Sequence, residues 1–138
     1  MKFKYTTTMT SDTKGRLVRR PLIELNILGG DKLVKAFGLI DSGADTTLMN
    51  IEYAKRAGII LDLEKTKLYL GISGPSTPCY LSVVPIKVKY FDDPIDVSVG
   101  FIDSPAVDIL LGQEDFFERF KIKFEKDHNT FELSTAKK

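Results

Sequence analysis

The residues LIDSGADTTLMN, from Leu39 to Asn50, set an acid, a hydroxyl and a glycine between two apolar stretches. A stretch that runs apolar up to Asp41 should not end in a charge unless that charge has partners or a task, because an isolated carboxylate is costly to bury. A task open to it is general acid–base chemistry on water, which two carboxylates close enough to share one proton can perform. The neighbours suit such a loop. Gly43 keeps the turn tight and lets its N–H approach the Asp41 carboxylate with no side chain in the way. Ser42 offers a hydroxyl for a bond to an adjacent loop, and Ala44 is small enough for another backbone to lie close. A plainer reading stands beside this one: Asp-Ser-Gly is ordinary turn chemistry, with Asp41 merely on the surface.

Other reactive side chains are scarce. Cys79 is the only cysteine and His128 the only histidine. One cysteine excludes an internal disulfide, and the two residues cannot hold zinc unaided. No motif sets them up as nucleophile and base, so Cys79 reads as a buried or flap-side thiol and His128 as a turn residue. Neither a metal nor another cofactor is expected.

The elements that must position Asp41 are mostly strands. LIELNIL, then GGDK, then LVKAFGLID reads as a hairpin, with Gly29-Gly30 supplying residues that tolerate positive φ. KFKYTTTM and RLVRR, on either side of SDTKG, alternate charged with apolar or β-branched residues, as a half-solvated strand–turn–strand unit does. TKLYLGI and YLSVVPIKVKYF flank the Gly-Pro-rich GISGPSTP; IDVSVGFI, VDILL, FKIKFEKD and TFEL follow. Two short helices are expected: Ile51 to Ala57, capped by Asn50 and ended by Gly58, and Gln113 to Phe120 after Gly112. One internal echo stands out. GLIDSGADTTLMN from Gly38 and GFIDSPAVDILLG from Gly100 share an apolar pair, Asp-Ser and then Ala, as two structurally similar halves would.

With 138 residues, 43% of them hydrophobic, the chain fits a single domain over residues 1–138 with its own core, its polar tail fraying from about Thr135. A net charge of +1 argues against nucleic acid or an anionic membrane as partner, and Arg16, Arg19 and Arg20 make no basic stripe. No apolar run approaches the ~20 residues of a membrane span, and no signal-peptide core opens the chain, so a cytoplasmic protein is the expectation.

LIDSGA resembles the signature of the retropepsin-like aspartic proteases, in which two apolar residues precede Asp, Thr or Ser, Gly and Ala. ILLG, Ile109 to Gly112, resembles that family's apolar-apolar-Gly signal, which places Leu111 and Gly112 behind the active loop. YLGISG lies where the family carries its flap hairpin. The ordered set covers roughly Leu22 to Phe120. The resemblance implies a mainly β, closed acid-protease-like barrel with two short helices and a flap. It implies an aspartic endopeptidase with Asp41 as catalytic acid, Ser42 and Gly43 supporting the loop, and a peptide or protein substrate held by Ala44, Asp45, Leu70, Gly71, Ile72, Ser73 and Gly74.

One such loop supplies one carboxylate where two are needed. Asp103 is a poor second, because Pro105 stands at the glycine position and has no N–H to donate. A single-chain two-lobed enzyme would also need about twice this length. The expected solution is a homodimer with Asp41 of each subunit meeting on the two-fold axis. The sequence departs from viral relatives at Gln113, where they commonly carry an arginine that supports the dimer, and in its added helix and terminal hairpin. The rival reading is a non-catalytic dimer that binds or scaffolds peptides with the same fold.

Overall fold

The computed structural model describes residues 1–9, 15–69 and 77–136. In chain order its strands are β1 (Lys2–Lys4), β2 (Thr6–Met9), β3 (Leu17–Arg20), β4 (Leu22–Ile27), β5 (Val34–Ile40) and β6 (Thr47–Asn50). Helix α1 (Ile51–Ala57) follows, then β7 (Thr66–Tyr69), β8 (Thr77–Val88), β9 (Ile95–Ile102), β10 (Ile109–Leu111), β11 (Phe120–Glu125) and β12 (Thr130–Thr135). The large sheet runs β4-β5-β10-β6-β9-β8-β7, and an added β4–β8 pairing closes its first six strands into a barrel. A closed barrel removes most of the free edge that those strands would otherwise present.

Alternation decides what faces inward. In β5, Val34, Ala36 and Ile40 are buried while Lys35 and Phe37 are exposed, the period of two that puts one side of a strand in a core. Ile23, Leu25, Val97, Val99, Phe101, Leu111 and Phe116 fill that core from the other elements. Each such side chain contributes about 1.5–3 kcal/mol by leaving water.

Two strand–loop–strand units interlock inside the barrel. β5 runs parallel to β10, β6 runs parallel to β9, and β6 and β10 are antiparallel neighbours. The repeated Gly–apolar–apolar–Asp–Ser segments therefore end β5 and β9, the outgoing strand of each unit packing beside the incoming strand of the other.

β8 serves several neighbours. It pairs with β9 from Cys79 to Ile86, with β7 from Thr77 to Tyr80, and with β4 from Ile86 to Val88. Two bonds extend these ladders: Leu81 N–H to the Lys65 carbonyl at 2.9 Å and Leu28 N–H to the Pro85 carbonyl at 2.9 Å.

Three expectations are corrected. Gly29 and Gly30 do not adopt positive φ. Gly30 is required instead by close approach, since a Cβ there would land on the Ala57 carbonyl oxygen at the end of α1. The opening KFKYTTTM is two strands, because the chain leaves one sheet at Tyr5: β1 pairs with β12 and β2 with β3. The second helix after Gly112 is present but is wide and kinked over Gln113–Phe117, with Asp115 at φ 64°, and β11 already begins at Phe120. Asp115 is held there by its carboxylate, which accepts the Ser98 N–H at 2.7 Å. Helix α1 is as expected: the Asn50 side chain accepts the Glu52 N–H at 3.0 Å, and Gly58 ends it at φ 75°.

Candidate active site

β5 carries Asp41 out of the core. The Asp41 N–H donates to the Leu111 carbonyl at 3.0 Å, prolonging the β5–β10 ladder by one residue. Asp41 shares the alternation of the half-buried Leu39 and not that of the buried Ile40, so its side chain stands on the sheet face away from the core. There the chain turns: the Ala44 N–H donates to the Asp41 carbonyl at 3.2 Å, and the Gly43 N–H donates to the Asp41 carboxylate Oδ1 at 2.9 Å. The second carboxylate oxygen has no protein donor among the described residues. The N–H that the sequence assigns to Gly43 is thus in place, although φ at Gly43 is not positive. Its glycine is favoured by space, since a Cβ would lie 3.2 Å from Oδ1.

The second unit supports this loop from behind. Leu111 is fully buried, and the Gly112 N–H donates to the Thr47 hydroxyl at 3.1 Å. A Cβ on Gly112 would stand 2.7 Å from the Ala44 carbonyl oxygen and 2.8 Å from the carbonyl of Thr46, both backbone atoms of the loop. Past Gly112, the Gln113 N–H donates to the Ala44 carbonyl at 2.8 Å and the Glu114 N–H to the Asp45 carbonyl at 2.9 Å. The Gln113 side-chain Nε2 donates to the Ser42 carbonyl at 2.7 Å. Ser42 and Asp45 expose their side chains and Ala44 is half-buried.

The counterpart loop, Asp103 to Asp108, is arranged differently. Asp103 is exposed, and among the described residues no N–H is aimed at its carboxylate; Pro105 has none to offer. Ser104 is 1% exposed, its hydroxyl accepting the Ala106 N–H at 3.3 Å and its carbonyl the Val107 N–H at 3.1 Å. Asn50 Nδ2 donates to the Ser104 and Val107 carbonyls at 3.0 and 3.1 Å. Tyr53 on α1 donates its hydroxyl to the Asp108 carboxylate. Burial, then that hydrogen bond and the Asp108 charge, push the Tyr53 phenol up to about 12, against a smaller opposing effect of Arg56.

Residues not singled out in the sequence line the same outward face. The ladder register sets Leu22, Leu39, Leu110, Leu48, Gly100 and Leu81 in one row across six strands. Leu48 and Leu110 join Cys79, Ile102 and Val107 in an apolar cluster separate from the main core. The half-buried Leu39 and Leu110 and the exposed Leu81 thus give the face that carries Asp41 apolar surface, while Leu48, Cys79, Ile102 and Val107 are buried. Counting alternate residues back from Asp41 finds Leu39; the others need the strand pairing. β7 and β8 pair antiparallel up to Tyr69 and Thr77, the strands of the expected flap. Leu70, Gly71, Ile72, Ser73 and Gly74 lie outside the described residues. Among those described, no group of three or more His, Cys, Asp or Glu could hold a metal ion, and no helix is long and apolar enough to cross a membrane.

A family model described as aspartyl protease matches residues 24–114, more than half of the chain. The chain is similar to the crystal structure of a retropepsin-like aspartic protease from Rickettsia conorii, at 19% identity and a TM-score of 0.56, over 89% of this chain and 93% of that one. It is also similar to the retroviral protease-like domain of Ddi1 from Leishmania major, at 21% identity and a TM-score of 0.51, over 83% of this chain and 90% of that one. No curated protein sequence matches it. At these identities the two structures bear on the fold alone.

Proposed function

The chain belongs to the aspartyl protease family, and from that premise we propose that it is an endopeptidase acting as a homodimer, Asp41 of each subunit forming the catalytic pair. The observation that carries this reading is the Asp41 carboxylate itself, oriented by the Gly43 N–H at 2.9 Å on an apolar outward face. The Asp103 loop supplies no second such carboxylate, because Pro105 denies Asp103 the same donor. A second copy related by a two-fold axis supplies the missing partner.

In the pair, two carboxylates share one proton, since like charges a few ångströms apart do not both ionise. The ionised one takes a proton from water as the water oxygen adds to the scissile carbonyl carbon. The protonated one gives its proton to the carbonyl oxygen. Collapse of the tetrahedral species breaks the C–N bond, the leaving nitrogen taking up a proton. Ser42 and Gly43 hold the loop, while Ala44, Asp45, Leu70, Gly71, Ile72, Ser73 and Gly74 grip the main chain of an extended peptide.

The test joins peptide cleavage across pH with sedimentation over a dilution series. The reading predicts cleavage at acidic pH, lost in Asp41→Asn and lost on dilution to the monomer. A strict monomer that still cuts would overturn it. Peptide binding without cleavage at any pH would favour the non-catalytic dimer.

A further inference from the structure

Gln113 is the position at which the sequence departs from viral relatives, and its side chain is committed within its own chain. Nε2 donates to the Ser42 carbonyl at 2.7 Å across a sequence separation of 71 residues. The opposite unit holds the matching bond: Asn50 Nδ2, at the last residue of β6, donates to the Ser104 carbonyl at 3.0 Å. Each Asp-Ser loop is therefore tied through its serine carbonyl by an amide side chain from the other unit. The two ties differ in what hangs on them. Ser104 is buried and its loop is also fixed by Tyr53, whereas Ser42 is exposed and follows directly on Asp41.

The geometry points to Gln113 as a positioning residue for the Asp41 loop, acting through the Ser42 carbonyl inside each subunit and not across the dimer. This rests on the hydrolytic reading above. The Ser42 carbonyl and the Gly43 N–H belong to one planar peptide unit, so holding that carbonyl holds the donor that orients the Asp41 carboxylate. The main-chain bond from Gln113 N–H to the Ala44 carbonyl persists whatever side chain is present, which isolates the contribution of the amide. Because Gln113 is exposed, replacing it leaves the core untouched.

The experiment uses the full chain with Gln113→Met, which keeps the length but has no donor, and Gln113→Arg, which restores one. Asn50→Asp is the control, keeping the helix-cap acceptor and dropping the donor. The readouts are kcat, KM, dimer dissociation by sedimentation, and amide hydrogen exchange at Gly43 and Ala44. Gln113→Met should lower kcat about 5- to 10-fold with KM within about twofold, leave dimerisation unchanged and speed exchange at both amides. Gln113→Arg should recover most of kcat and of the protection, and Asn50→Asp should alter neither. Parental kcat and exchange in Gln113→Met, or a loss that tracks dimer dissociation or KM, would overturn the assignment. Exchange separates it from the hydrolytic reading: if the parent cleaves nothing, faster exchange in Gln113→Met reversed in Gln113→Arg still supports the tie, and unchanged exchange refutes it.

Discussion

The loops at Asp41 and Asp103 begin alike, with Asp-Ser after an apolar strand end, and diverge at the next residue. Gly43 donates its N–H to the preceding carboxylate; Pro105 has no N–H, and the serine before it is buried and turned to bonding its own loop. One loop presents a polar oxygen outward and is steadied from behind by Gly112, Gln113 and Glu114. The other is sewn to α1 through Asn50 and Tyr53. The contrast teaches that an internal near-repeat can share a frame while chemistry is confined to one copy, and that a single backbone donor marks the boundary.

The largest effect that would break this comparison is functional. Asp41→Asn should lower kcat/KM at least about 10³-fold, while Asp103→Asn stays within about twofold; equal losses in a peptide-cleavage assay would erase the distinction. Next comes Gly112→Ala, whose methyl meets loop backbone at 2.7 and 2.8 Å. Backbone yields less readily than a side-chain tip, so a loss of about 3 kcal/mol in urea unfolding is expected, together with loss of cleavage. Asn50→Ala removes a helix cap and two donors to the second loop, and should cost about 2 kcal/mol with kcat preserved. The smallest effect is at Tyr53. Its phenol is raised from 10.0 to about 12, so the stability it contributes is complete below pH 10 and fades as pH climbs through 12. Tyr53→Phe should remove a phase near pH 12 from an ultraviolet phenolate titration; a phase lost near 10.0 instead would show that the phenol is not held up.

Much of this was readable one residue at a time. The Asp41 turn, the apolar pair before Gly112, the Asn50 cap and Gly58 stop of α1, and the β4–β5 hairpin all follow from local pattern and spacing. What escaped depends on distant partners. Gln113 could be recognised as a departure, but not as a donor to Ser42, because nothing in a linear pattern brings those residues together. Gly30 was assigned a backbone freedom it does not use, since its actual constraint is the end of a helix almost thirty positions on. The residues from Gln113 to Phe117 had helical composition; the pull of Ser98 on Asp115 broke the regular turn. The strand break at Tyr5 is likewise tertiary: β1 and β2 have equally strand-like sequences and find different partners.

The pairing of β8 has a mechanical corollary. Cys79 and Tyr80 pair with both β9 and β7, and Ile86 with both β9 and β4, yet among the described residues only β9 accompanies Ser82 to Val84. Ser82 to Val84 is thus a singly paired stretch between two doubly paired ones, so bending of β8 is expected to concentrate there.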